Sequence, residues 1–205
     1  MGSPPRDRAQ NSPSSVPEGR AGSGLDLTRV RARDPEALAA FFERYFDRVY
    51  GHAYRLLGDR TAAEDAAQDV FLKVHRAVDR LDVERDPEPW LLTITSNVCR
   101  DVWRSGAHRM ARRSSSIEDD PVLGASLASP TRSPEGDLIA AERERLVQEA
   151  LGALPEALRE AIVLREYQGM GYDQIAAILG INEAAARKRY SRGLSELGKR
   201  LKDVI

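Results

Sequence analysis

Between Leu38 and Val102 the apolar residues of this chain recur three or four positions apart, in three successive runs. The first comprises Leu38, Phe41, Phe42, Tyr45, Phe46, Val49, Ala53 and Leu56. The second comprises Ala63, Ala67, Val70, Phe71, Val74, Val78 and Leu81, and the third Leu91, Ile94, Val98 and Val102, with Trp90 at its start. That spacing gathers each set on one face of an α-helix. The chain is therefore expected to be all-α, its aromatic stripe serving as core. Local signals punctuate the helices. Asp34-Pro35-Glu36 offers a capping aspartate, a proline at the first helical position and an acid in the first turn, and Gly58 closes that helix. Thr61 and Glu64 read as a capping box for the second helix. Pro87-Glu88-Pro89 places proline in the first turn of the third.

The polar faces of the second and third helices differ in sign. The second opens with Asp59, Glu64, Asp65 and Asp69 against a single Arg60. The third carries Thr93, Ser96, Asn97, Arg100 and Arg104, and from Asn97 to Arg113 five arginines face one aspartate, a local net charge of +4. An acidic protein-docking face beside a nucleic-acid face has this appearance.

Periodicity then lapses over residues 106–136, which are rich in Ser, Pro, Gly and Ala and read as a flexible linker. Residues 1–24 have almost nothing to bury and read as a disordered tail. The chain thus divides into two small helical domains, 30–105 and 137–203. In the second, Ile139, Leu146, Val147, Ala150, Leu151 and Leu154 form one buried line. Pro155 opens a helix using Leu158, Ala161, Ile162 and the stem of Arg165, which stops at Gly169. Ile175-Ala176, Leu179-Gly180-Ile181, Ala186 and Leu194 follow helix-turn-helix spacing, with Asn182 as cap of the second helix. That helix bears a net charge of +5 from Asn182 to Lys202. Right after such a turn, a cationic helix is read as one that enters DNA.

Composition excludes several classes. The single Cys99 rules out an internal disulfide and fits a reducing compartment, and His52, His75 and His108 share no metal-ligand spacing with it. No metal and no cofactor is expected. No nucleophile–base pair or phosphate-cradling loop appears, so an enzyme is not expected. No apolar run nears the ~20 residues that span a bilayer, and no signal peptide stands at the start.

The stretch AEDAAQDVF followed by PWLLTITSNVCRDVWR resembles region 2 of the extracytoplasmic-function (ECF) sigma factors. It matches that family's A-E-D-x-x-Q-(E/D)-x-F motif at Ala63, Glu64, Asp65, Gln68, Asp69 and Phe71. It matches W-L-x-x-I-x-x-N-x-x-x-D-x-x-R at Trp90, Leu91, Ile94, Asn97, Asp101 and Arg104. LPEALREAIVLREYQGMGYDQIAAILGI is similar to the family's region 4. Two departures stand out. Gly171 occupies the place of the Ser or Thr that caps the first helix of the motif. Glu183 to Arg189 replaces a G-T-V-K-S-R run, with Ala184, Ala185 and Ala186 where the family has Gly, Thr and Val.

The resemblance implies a region 2 bundle joined by a flexible linker to a region 4 helix-turn-helix, and the following roles. Glu64, Asp65, Gln68, Asp69 and Phe71 would bind core RNA polymerase at its beta-prime clamp, with region 4 on the beta flap. Asp82, Glu84 and Arg85 in the loop, with Asn97, Arg100, Asp101, Trp103 and Arg104, would engage the minus-ten element of promoter DNA. Trp90 is read as core and Trp103 as the better candidate for stacking on an unpaired base. Asn182, Glu183, Ala184, Ala186, Arg187, Lys188, Arg189 and Arg192 would meet the minus-thirty-five element. An anti-sigma factor is the further partner implied, with a cytoplasmic location at which that factor could hold the chain to the membrane. Two rivals stay open: an autonomous helix-turn-helix repressor or activator, and a sigma-like decoy in a stress-response partner switch. The polar, arginine-bearing face around Asn97 argues against both.

Overall fold

The computed structural model describes residues 24–106 and 134–202. The expected tail, but for Gly24, and residues 107–133 of the expected linker lie outside the described residues. Eight α-helices and no strand occur among the residues described. They are α1 (Leu27–Arg31), α2 (Pro35–Leu57), α3 (Arg60–Ala77), α4 (Glu88–Arg104), α5 (Pro134–Gly152), α6 (Glu156–Ile162), α7 (Tyr172–Leu179) and α8 (Glu183–Lys202). A 3-10 turn, Val78–Arg80, extends α3, and a π turn, Val163–Tyr167, extends α6.

Helices α2, α3 and α4 pack against one another around Phe41, Val49, Leu56, Val70, Val74 and Leu91, each at most 2% exposed. Asp34 caps α2 as expected, accepting from the Ala37 N–H at 3.0 Å. Gly58 ends it in the left-handed region at φ 72°, where a side chain would be strained. Two expectations fail here. The cap of α3 is Asp59, which accepts from the Ala62 N–H at 2.7 Å. Thr61 therefore lies inside the helix rather than starting it. Phe46 is 45% exposed. It stands at the flank of the stripe, stacked on Tyr50 and Phe71 with centroids 6.2 and 6.1 Å away. The short α1 has too few residues to show a period. Asp26 caps it by accepting from Thr28 and Arg29, and it buries Val30.

In the second half, α7 and α8 form the helix-turn-helix, with Gly180 at φ 65° in the turn. Asn182 caps α8 by accepting from the Ala185 N–H at 2.8 Å. Leu194, which follows the helix-turn-helix spacing, is 41% exposed. Its neighbour Gly193 is buried instead, in the place where α8 crosses α6.

The two halves meet along α4, which is buried on two sides. Leu91 and Val98 face the first core. Leu92 enters the second, among Leu164, Met170, Ile175 and Ile178. In return Val163 packs into the first. Tyr167 of the second half also packs against the first core, so apolar groups of the two halves interlock.

Candidate polymerase and nucleic-acid interfaces

The inner face of α3 (Ala63, Ala66, Ala67, Val70 and Val74) is anchored in the core. The outer face is thereby left to solvent, and Glu64, Asp65, Gln68 and Asp69 are all exposed on it. Beside them Leu72 is 56% exposed, an apolar side chain within an acidic surface. Phe71, the fifth residue expected there, is half-buried with its ring 4.9 Å from Phe42. It supports the face more than it forms it.

On α4, Asn97, Asp101 and Arg104 are exposed. Asp101 pairs with Lys73 of α3 at 3.3 Å and with Arg104 at 3.5 Å. Asn97 accepts from Arg100 at 2.8 Å. The acidic and polar faces are thus tied to each other through the Lys73–Asp101 pair. Ser96, read from sequence as part of this polar face, is fully buried and lies 3.1 Å from His52 Nε2. Burial, with Arg48 and Arg100 nearby, pulls the His52 pKa down to about 3, so the ring is neutral. In the preceding loop Asp82, Glu84 and Arg85 are exposed. Asp82 accepts from the Glu84 N–H at 3.1 Å and pairs with Arg85 at 3.2 Å.

Trp103 needs a correction. It is 4% exposed and belongs to the first core, with the Arg159 guanidinium 5.6 Å from its ring centre. In this arrangement its face is not open to a base. The residue follows Leu92, Ser96 and Cys99 on the second buried stripe of α4, which its polar sequence neighbours conceal. Trp90, read as core, is partly buried against the first cluster.

On α8, Asn182, Glu183, Ala184, Arg187, Lys188 and Arg192 are exposed and Arg189 is half-buried. Ala186 is wholly buried in the crossing with α7. Its methyl group belongs to the packing of the two helices and cannot reach DNA. Glu183 forms an ion pair with Arg187 one turn on. Gly171, lacking a side chain, leaves the start of α7 without a side-chain cap, and its own N–H donates to Gln174 at 2.8 Å.

A polar set that sequence reasoning did not single out joins the halves. Arg159 donates to the carbonyls of Leu56, Gly152 and Leu154. Gln148 donates to the carbonyls of Tyr54 and Arg55 at 3.2 and 3.3 Å, in the last turn of α2. Arg55 pairs with Glu144 at 2.6 Å and lies over the Tyr167 ring. Arg100 pairs with Glu160 at 2.7 Å. The available signal was the charged doublet Arg159-Glu160 inside an otherwise apolar run.

Residues 41–110 match the Sigma-70 region 2 family, and residues 144–197 match Sigma-70, region 4. The chain belongs to the ECF RNA polymerase sigma factors. It is 31% identical to the ECF RNA polymerase sigma factor SigK of Mycobacterium (strain KMS) over 83% of this chain and 86% of SigK. To SigW of Bacillus subtilis it is 27% identical, over 87% of this chain and 96% of SigW. The probable RNA polymerase sigma factor RfaY of Xanthomonas campestris is 36% identical over 68% of this chain, a stretch that is 34% of RfaY. Among solved structures, CnrH in complex with the cytosolic domain of CnrY superposes with a TM-score of 0.60 at 25% identity, over 86% of this sigma factor and 95% of CnrH. RpoE of Bartonella quintana, in complex with the anti-sigma factor NepR, gives a TM-score of 0.61 at 24% identity, over 80% and 96%, a likeness of fold. Among the described residues no helix of this sigma factor is long and apolar enough to cross a membrane.

Proposed function

We propose that this ECF sigma factor docks on core RNA polymerase through the acidic outer face of α3 and recruits it to promoters. The chain carries no chemistry of its own. One observation carries the reading: Glu64, Asp65, Gln68 and Asp69 stand exposed on α3 while Asn97, Asp101 and Arg104 stand exposed on the adjoining α4. A negative surface steers a positive partner onto it. The neighbouring donors then suit an unstacked base edge, whose extrusion costs a few kcal/mol. The exposed loop residues Asp82, Glu84 and Arg85, just ahead of α4, are assigned with it to the minus-ten element. Arg187, Lys188, Arg189 and Arg192 of α8 hold the minus-thirty-five element, arginines suiting base edges and lysines phosphates.

In the arrangement described, Arg100 is occupied by Glu160. Full use of α4 on DNA therefore follows separation of the two halves. An anti-sigma factor is the partner expected of such a chain, located with it in the cytoplasm; the RpoE likeness is to a sigma factor held by one.

Binding to bacterial core RNA polymerase tests the reading without knowledge of the promoter. The double substitution Asp65→Lys, Asp69→Lys is expected to weaken binding at least about tenfold, in a salt-dependent manner. Failure of the folded wild-type chain to bind core polymerase would overturn the proposal and favour an autonomous DNA-binding protein.

A further inference from the structure

Tyr172 opens α7 at the point where the two helices of the helix-turn-helix and the preceding π turn converge. Two guanidiniums lie over its ring, Arg165 from the π turn at 4.8 Å and Arg187 from α8 at 4.6 Å from the centroid. Tyr190 of α8 meets the same ring edge-on at 5.8 Å. Both neighbours of the ring are anchored behind it. Arg165 donates to the Met170 carbonyl at 2.9 Å, and the Tyr190 hydroxyl donates to Glu166 at 2.6 Å. The ring therefore stands on a fixed support, and the exposed Arg187 rests on the ring.

The chemistry of that contact is selective. A guanidinium over an aromatic face is attracted by the ring quadrupole, while the five N–H donors in its plane stay available. The second restraint on Arg187, its ion pair with Glu183, occupies a donor and must yield when a base is read. Lys188 and Arg192, also exposed on α8, make no side-chain hydrogen bond or ion pair among the described residues. Arg187 is thus the pre-oriented cation of the set. A bidentate contact to a base edge needs its fork held in one plane.

We propose that Tyr172 is a positioning residue for Arg187, its ring orienting the guanidinium and so setting how strictly one position of the minus-thirty-five element is chosen. This rests on the reading of α8 as the helix that enters that element.

The test uses holoenzyme assembled from the full chain and bacterial core polymerase, with bound sequences selected from a random duplex library and sequenced. The selected site is then substituted one base pair at a time for Tyr172→Leu, Tyr172→Phe, Arg187→Ala and Tyr172→Leu with Arg187→Ala. The expected result is that Tyr172→Leu relaxes selectivity about two- to fivefold, only at the base pair where Arg187→Ala also acts. Tyr172→Phe, which keeps the ring, retains the wild-type profile, and the double variant is no worse there than Arg187→Ala alone. A uniform loss at all base pairs, or no change while Arg187→Ala relaxes one position, would overturn the proposal and leave the reading of α8 intact. An unchanged profile for Arg187→Ala itself would sink the reading of α8 and the proposal with it. Melting followed by circular dichroism checks folding. Tyr172→Met, similar in length and apolar, answers the same question if the leucine variant is unstable.

Discussion

Arg100 Nε of α4 donates to Glu160 Oε1 of α6 at 2.7 Å, across the boundary between the two halves of the chain. The Glu160 side chain is 5% exposed and that of Arg100 22%. Burial pushes the Glu160 carboxyl pKa up, and the Arg100 charge opposes this. The pair therefore costs desolvation that only its mutual geometry offsets. Removing its complementarity turns the same spot into a repulsion. Glu160→Lys is expected to part the halves and raise the radius of gyration in small-angle scattering, with helix content by circular dichroism retained. Glu160→Gln, which can still accept a hydrogen bond, is expected to stay closed.

His52 gives the fold a dependence on acid. Its pKa is about 3 in the folded chain, against roughly 6.5 unfolded. A depressed folded value means that the unfolded chain takes up the proton first. The contribution is therefore complete above the unfolded value and is lost as pH falls toward the folded one. Between pH 7 and pH 5 the loss amounts to about 2 kcal/mol. Denaturant titrations at those two pH values are expected to show it, and His52→Gln is expected to remove most of the difference.

The cap of α3 at Asp59, in place of the Thr61 expected from sequence, can be tested. Asp59→Ala removes the acceptor for the Ala62 N–H and is expected to cost about 1 kcal/mol. Thr61→Ala, an exposed position within the helix, is expected to change stability by less than about 0.5 kcal/mol. Urea unfolding of both variants checks the assignment.

Gly193 lies where α8 crosses close over α6. A Cβ there would lie 2.8 Å from Ile162 Cδ1 and 3.2 Å from the Leu158 carbonyl oxygen. The isoleucine end can shift, but the backbone oxygen cannot without moving α6. Overpacking of this kind costs about 1–3 kcal/mol, against about 1 kcal/mol gained in helix propensity. Gly193→Ala is expected to lower stability by about 1 kcal/mol, read as a lower urea midpoint.

Helical periodicity was enough to read α2, α3 and α4, because it reports which residues share a face, and the caps at Asp34, Gly58 and Asn182 act within one turn of chain. The same local physics put the acidic side chains outside on α3. At the start of α3 the capping-box pattern at Thr61 and Glu64 misled, because the aspartate two positions earlier, Asp59, starts the helix. Periodicity cannot say how many neighbours a helix has. Leu92, Ser96, Cys99 and Trp103 line a second buried stripe on α4, Leu92 in the core of the second half and Ser96, Cys99 and Trp103 within the first. Their mixed polarity hid that stripe, and Trp103 read as free.

The sequence by itself determined the long helices α2, α3 and α4, the helix-turn-helix and the opposite charges of neighbouring faces, all products of short-range spacing. The tertiary structure alone decided that Arg100 spends its charge on Glu160, that Arg159 caps the Leu56 carbonyl, and that Tyr172 lies beneath Arg187. Each of those pairs joins residues at least 15 positions apart, and only packing brings them within reach.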